Sequence, residues 1–225
     1  MKNIQNNIEI LKKQVQYLLK KKHSLLKKIK IIAVSKNQPV KKIQQAILSG
    51  IYEFGENYIQ ESIYKIHKLK GNKNIVWHFI GKLQSKKTKL VAQYFDWCQT
   101  IEREKIAFLL NQYREKKNVS INVLIQINIS EEENKNGVDI KNYQKLAKFV
   151  SQMPYLNFRG IMAMPQKKQE CIQYYQYENI RNIFNILKNQ YKSVDTLSLG
   201  TSFDLKTAIM YHSNMIRIGR NIFDG

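Results

Sequence analysis

A lysine, an arginine and two small-residue loops carry the chemistry legible in these 225 residues. Lys36 follows the apolar run Ile31-Ile32-Ala33-Val34-Ser35 and precedes Asn37-Gln38-Pro39. β-Branched residues closed by turn chemistry read as a short buried strand, so Lys36 stands at its C-terminal tip. An ammonium partly desolvated at such a tip can lose its proton and form a Schiff base with an aldehyde. The position also suits a lysine that merely caps a strand into solvent.

Near the other end, Leu197-Ser198-Leu199-Gly200-Thr201-Ser202 reads as a strand opening into a loop, with a helix after it. Met215-Ile216-Arg217-Ile218-Gly219-Arg220 reads as a strand that ends at a glycine. Small residues and hydroxyls after the last two strands of a β/α barrel are what a phosphate site requires, because backbone N–H groups can approach the anion closely. Ser202 can donate its hydroxyl, Gly219 keeps a side chain out of the way, and the Arg220 N–H can point inward. Arg217 alternates with Ile216 and Ile218, so it faces the barrel interior if the isoleucines face the helices. A buried charge is costly without a partner. A planar cofactor with a ring-nitrogen acceptor would supply one, as would a carboxylate on a neighbouring strand, Glu53 or Glu56. An aldehyde-capturing lysine, a phosphate cradle and an arginine donor to a ring nitrogen together describe pyridoxal 5′-phosphate.

The elements that must position these groups alternate along the chain. Strand-like runs fall at 31–35, 52–55, 75–80, 95–100, 122–128, 157–162, 196–199 and 215–218. Helix-like stretches separate them at 41–48, 57–68, 86–93, 104–116, 142–152, 169–189 and 205–212. Pro39 and Gly50 bracket the first of these helices, and Asp139 can cap the helix near Lys141. Such alternation predicts an α/β fold, a single-domain (β/α)8 TIM barrel, with an open doubly wound sheet as the alternative. Residues 2–28 form an extra N-terminal helix, with Ile4, Ile8, Leu11, Val15, Leu18, Leu25 and Ile29 on one face and seven lysines opposite. That helix suits packing on the barrel with snorkelling lysines, or binding to a membrane surface. No Pro/Gly-rich boundary divides the chain, so residues 1–225 are expected to be one domain.

Composition narrows the partners. The net charge of +21 would ordinarily point to a polyanion, but 32 of the basic residues are lysine and only 6 are arginine. Phosphate and base readers favour the planar arginine fork. Together with 30 Ile and 21 Asn, the lysine excess looks like the output of an AT-rich genome. The reading is a solvated basic surface without a specific nucleic-acid partner, a polyanion remaining the third option for function. No apolar run approaches the roughly 18 to 20 residues that span a bilayer, and no signal peptide is evident at Met1. Cys98 and Cys171 lack metal-ligand spacing, so no metal site is expected and a reducing cytoplasm is the simple reading. A monomer is expected, as no long apolar patch is evident.

The chain resembles the pyridoxal-phosphate homeostasis proteins, single-domain relatives of the N-terminal barrel of alanine racemase. The resemblance runs from about Ile31 to the end. It rests on Ala33-Val34-Ser35-Lys36, Phe54-Gly55-Glu56-Asn57-Tyr58-Ile59-Gln60-Glu61, and Trp77-His78-Phe79-Ile80-Gly81-Lys82-Leu83-Gln84. It continues in Gln126-Ile127-Asn128-Ile129-Ser130, in Arg159-Gly160-Ile161-Met162-Ala163-Met164-Pro165, and in the two C-terminal segments. It implies that Lys36 carries the internal aldimine, that Ser202, Gly219 and Arg220 hold the phosphate, and that Arg217 faces the pyridine nitrogen. Asn57 and His78, ending the second and third strands, would line the ring or its 3-hydroxyl side; His78 reads equally well as a satisfied core histidine. Met162, ending the sixth strand, would pack against the ring. Two positions depart from the family's pattern: Lys86 stands where asparagine is usual, and Thr201 where methionine is usual.

An arginine at the ring nitrogen keeps that nitrogen unprotonated. Such a ring is a weak electron sink, so racemases that use it need two bases. By resemblance, alanine racemase takes the second from a separate β-domain, and this chain ends at Gly225; Tyr58 is a conceivable replacement. The expected function is therefore reversible holding of pyridoxal phosphate in its intracellular homeostasis, with transfer to apo-enzymes, and no strong catalysis. An amino-acid racemase or weak transaminase is the alternative.

Overall fold

All eight apolar runs become parallel strands of one ring. The computed structural model describes residues 4–21, 28–130, 136–165 and 170–224. In chain order the elements are α1 (Ile4–Lys21), β1 (Lys30–Val34), α2 (Val40–Leu48), β2 (Glu53–Glu56), α3 (Ile59–Lys68) and β3 (Val76–Phe79). Next come α4 (Thr88–Tyr94), β4 (Trp97–Ile101), α5 (Glu104–Glu115), β5 (Ile121–Asn128), β6 (Val138–Asp139) and α6 (Tyr143–Ser151). The chain finishes with β7 (Leu156–Ala163), α7 (Glu170–Gln190), β8 (Thr196–Ser198), α8 (Leu205–Met210), β9 (Met215–Ile218) and α9 (Arg220–Phe223).

The strand order is β4-β3-β2-β1-β9-β8-β7-β5, and a further β4–β5 pairing closes the ring. An open doubly wound sheet would leave two edges; that closure excludes it and establishes the (β/α)8 barrel. Pairing is parallel throughout, for example Ala33 with Phe54 and Ile31 with Ile216. β6 lies outside the ring on β5. It went unread in the sequence because two residues carry no periodicity. Gly137 makes it possible: its φ is +122°, and a Cβ there would lie 2.6 Å from the Asn128 nitrogen.

Several boundaries differ from the sequence reading, for local reasons. The fourth strand starts at Trp97 because the Phe95 N–H still bonds Val91 O, ending α4. α3 starts at Ile59, which leaves Asn57 in the exit loop of β2. A 3₁₀ turn over Ser85–Lys87 precedes α4 and exposes Lys86 at the same end of the barrel as Lys36.

Strand alternation sorts the core into two parts. Outward residues such as Phe54, Trp77, Phe79, Cys98, Leu197, Ile216 and Ile218 join the helices in one large apolar cluster. Inward, Ile32, Trp97, Leu124, Met162 and Met215 form a smaller plug. The α1 helix adds Ile4, Ile8, Leu11 and Val15 to the outer cluster, and Lys12 Nζ reaches Ser49 O at 2.9 Å. Its apolar face is thus covered by the barrel, as the packed-helix reading requires. Leu25 falls outside the described residues. Among the described residues no helix is long and apolar enough to cross a membrane.

Candidate functional site

Lys36, Asn57, Ser202, Gly219 and Arg220 follow the C-terminal ends of β1, β2, β8 and β9 at one mouth of the barrel, whereas His78 and Met162 lie buried on β3 and β7. Lys36 sits in the turn after β1, one residue past the buried Ser35, and its side chain is exposed. The partial desolvation expected from the strand tip is therefore not supplied by neighbouring side chains. The turn that carries Lys36 is firmly held instead. Ser35 Oγ donates to Glu56 Oε1 at 2.6 Å, and Lys65 Nζ donates to Ser35 O at 2.6 Å. The same ammonium bonds Glu56 Oε1 at 2.7 Å and Glu61 Oε1 at 2.5 Å. Glu61 in turn accepts the Asn37 N–H at 2.7 Å. Burial pushes the Glu56 carboxyl up, and the bonds from Lys65 and Ser35 only partly offset this. Sequence reading missed Lys65 and treated Glu56 only as a partner for Arg217. The four-residue spacing of Glu61 and Lys65 on α3 was the available signal.

The two C-terminal loops meet. Ser202 Oγ accepts the Asn221 N–H at 3.3 Å, which ties the loop after β8 to the start of α9. Below them, Asp204 Oδ1 accepts from the Thr201 N–H at 2.6 Å and the Thr201 hydroxyl at 2.7 Å. Its other oxygen accepts from the buried Tyr177 hydroxyl, whose pKa is raised by burial and by Asp204. Thr201, the departure from the family pattern, thus organises the loop through a hydroxyl that methionine lacks. The Arg220 guanidinium stacks 3.6 Å from the Phe203 ring centroid. Gly219 has ordinary backbone geometry, and a Cβ there would meet Val34 only at 3.6 Å. Packing within the protein does not demand glycine at this position, so the missing side chain leaves room at the mouth beside β1.

Arg217 points into the barrel, as its alternation predicts, and is 5 % exposed. The carboxylate alternative fails among the described residues, because Glu53 and Glu56 have other partners. Arg217 Nη1 donates to Ser198 O at 2.9 Å and to Ser198 Oγ at 2.6 Å, and Nη2 donates to Ala163 O at 3.0 Å. Burial pulls its pKa down to about 10, still well above neutrality. A guanidinium has five N–H groups. Three are committed in these bonds, and the other two have no partner among the described residues.

His78 is fully buried. Its Nε2 lies 2.6 Å from Glu53 Oε2, its Nδ1 lies 3.1 Å from Gln99 Nε2, and its ring stacks on Trp97 at 5.3 Å. Both nitrogens are engaged, which matches the core-histidine alternative. Met162 belongs to the apolar plug below the mouth. The Asn57 side-chain oxygen is buried and has no hydrogen-bond partner among the described residues. Gly81 allows the Asn57 backbone to approach, since a Cβ there would lie 2.3 Å from Asn57 O. Tyr58 is exposed at the start of α3.

A pH dependence follows from the His78–Glu53 pair. Burial holds the His78 pKa below its ordinary 6.5, more strongly than Glu53 raises it. Burial acts to raise Glu53, but the His78 and Lys30 bonds outweigh it and hold that carboxyl below 4.5. A depressed imidazole binds its proton more weakly folded than unfolded, so stability is lost as pH falls below 6.5 towards the folded value. The depressed carboxyl adds a further loss below 4.5. His78→Gln is expected to flatten the fall in Tm between about pH 7 and about pH 5. Thermal unfolding at three pH values checks this; equal slopes in both proteins would contradict it.

The family model described as alanine racemase, N-terminal domain matches residues 1–224. The pyridoxal phosphate homeostasis protein of Buchnera aphidicola subsp. Schizaphis graminum is 65% identical over 224 residues, covering 99% of this chain and 98% of that one. The Escherichia coli K12 protein of the same name is 46% identical over 200 residues, covering 87% and 85%. Among solved structures, PipY of Synechococcus elongatus with pyridoxal phosphate bound superposes with a TM-score of 0.85 at 26% identity, covering 98% of this chain and 99% of that one. With closed barrel, matched model and near-full-length relatives in agreement, the chain belongs to the alanine racemase N-terminal domain family, among its pyridoxal phosphate homeostasis proteins.

Proposed function

We propose that the barrel mouth holds pyridoxal 5′-phosphate reversibly, and that the chain serves the intracellular homeostasis of this cofactor and passes it to apo-enzymes. In this reading Lys36 attaches the aldehyde, Ser202, Gly219 and Arg220 take the phosphate, and Arg217 faces the pyridine nitrogen. The observation that carries it is Arg217, a buried cation with two uncommitted N–H groups between the strand of Lys36 and the loops of Ser202 and Gly219. Gly219 leaves space where a phosphate would approach, and Asn57 offers a buried oxygen that has no partner among the described residues, which suits a donor on the ring side. PipY, which shares the fold over nearly the whole of both chains, has the cofactor bound.

When bound, the cofactor supplies an aldehyde that a lysine amine can hold and a ring that withdraws electrons. The side chains present temper the second property. Arg217 is protonated at neutral pH and donates only, so it leaves the ring nitrogen without a proton. Carbanion chemistry on such a ring depends on two well-placed bases, and the exposed Tyr58 is not fixed in such a position.

The test is to load the purified full chain, reduce it with borohydride and map the modified lysine. Label on Lys36, with no D-amino acid or keto acid formed from a panel of L-amino acids beyond the rate of free cofactor, is the expected result. Label elsewhere overturns the site, and turnover overturns the non-catalytic reading in favour of a racemase or transaminase.

A further inference from the structure

Five hydrogen bonds run in series through the barrel, from the mouth that carries Lys36 towards the opposite one. Arg217 Nη1 donates to Ser198 Oγ at 2.6 Å, and Ser198 Oγ donates to Gln99 Oε1 at 2.8 Å. Gln99 Nε2 lies 3.1 Å from His78 Nδ1, and His78 Nε2 lies 2.6 Å from Glu53 Oε2. Lys30 Nζ closes the series on Glu53 Oε1 at 2.8 Å. All the linking side chains alternate with outward-facing core residues on β1, β2, β3, β4, β8 and β9. Six of the eight barrel strands therefore contribute to one polar column.

Chemistry fixes its direction. Arginine can only donate, so Ser198 Oγ accepts from it and has one proton to give. That proton needs the oxygen of Gln99, which turns the Gln99 amide nitrogen towards His78. His78 Nδ1 must then accept, so the ring proton sits on Nε2 and is donated to Glu53. A reversed Gln99 amide would leave the Ser198 proton without an acceptor. It would also require a proton on His78 Nδ1, and Nε2 would face the Glu53 carboxylate without one unless the buried ring were charged. The column is thus polarised from a guanidinium at one end to a carboxylate at the other, with Lys30 balancing that carboxylate.

We infer that Ser198, Gln99, His78 and Glu53 are positioning residues for Arg217, a hydrogen-bonded column that orients its two free N–H groups towards the bound ring nitrogen. This rests on the proposed cofactor site. It also gives His78 a role different from lining the ring: it acts through Gln99 and Ser198. Asp204 offsets the buried charge of Arg217 from a distance, and no carboxylate among the described residues bonds the guanidinium directly, so the column supplies the bonded contact that fixes its orientation. A direct partner beside the guanidinium would compete with the ligand; a relayed one holds the group without covering it.

Two full-chain variants test this, Ser198→Ala next to the arginine and Glu53→Gln at the far end. In the protein without cofactor, nitrogen NMR is expected to find the His78 proton on Nε2, and Glu53→Gln is expected to shift the Arg217 side-chain resonances. A proton on Nδ1, or Arg217 resonances unmoved by Glu53→Gln, overturns the column whether or not the cofactor binds. In the loaded protein, each variant is expected to weaken pyridoxal phosphate binding about tenfold and to move the absorption band of the bound cofactor, while borohydride still marks Lys36. Unchanged affinity and unchanged band in both variants overturn the proposal. Failure of the unaltered chain to take up the cofactor would sink the cofactor reading, and the NMR result then decides the column alone. If a variant does not fold, the His78 tautomer of the unaltered chain decides it.

Discussion

Lys36→Ala is expected to abolish covalent capture of pyridoxal phosphate and to raise the Kd by at least about a hundredfold, while leaving the Tm nearly unchanged. The loss is large because no other group in the site replaces a covalent attachment. The phosphate and ring contacts would remain, so weak non-covalent binding persists and borohydride fixes nothing. The stability expectation follows from exposure. Lys36 lies in a turn where the backbone is held by the Ser35, Asn37 and Gln38 bonds, none of which uses its side chain. Equilibrium dialysis and a thermal melt on the same preparation check both halves. A substantial fall in Tm would show that Lys36 does structural work that the geometry does not indicate. Retained covalent capture would move the attachment to another lysine.

Lys65→Met is expected to destabilise the fold by about 3–5 kcal/mol, the cost of leaving a buried carboxylate without its cation. Lys65 and Glu56 are 3 % and 0 % exposed at their side chains, so water cannot compensate. Without the ammonium, the Glu56 carboxyl is pushed further up by burial and takes a proton. The sign of the pH effect is then clear. A carboxyl whose folded pKa is raised favours the folded state at low pH and loses that contribution as pH rises through the folded value. The stability deficit of Lys65→Met should therefore narrow on going from about pH 7 to about pH 5. That is opposite in direction to the loss expected from His78. Adding Glu56→Gln should recover about half of the deficit, because a neutral amide is cheaper to bury alone than a charge. Cofactor affinity should also fall, since the Lys36 turn loses one of its two ties to α3 and keeps only the Asn37 N–H bond to Glu61. Denaturant unfolding of the two variants, each at two pH values, measures these terms. A deficit below about 1 kcal/mol, the range of an exposed pair, would contradict them.

These two lysines differ in how far sequence alone could reveal them. Lys36 announces itself by position, because a β-branched run closed by Asn-Gln-Pro can hardly be anything but a strand tip. Lys65 looks like any other lysine on an amphipathic helix of a lysine-rich chain. Only the docking of α3 against β1 and β2 turns it into a buried cation with three partners. His78 follows the same logic. Its strand was legible as an apolar run, and its inward direction follows once Trp77 and Phe79 join the outer cluster. Its partners come from β2 and β4, and the register between strands decides that Glu53 lies on one side of the ring and Gln99 on the other.

Arg217 marks the boundary between the two kinds of information. The sequence by itself determined the strand, the inward face and the need for compensation, because alternation and the cost of burying charge are local rules. It also determined the eightfold alternation and the small-residue loops after the last two strands. Tertiary structure decided that the sheet closes through β4 and β5, which hands Arg217 to Ser198 and Ala163 and leaves Glu53 to His78 and Lys30. The physical reason is that closure and register set which inward side chains meet. A shift of one residue would turn every one of them to the other face.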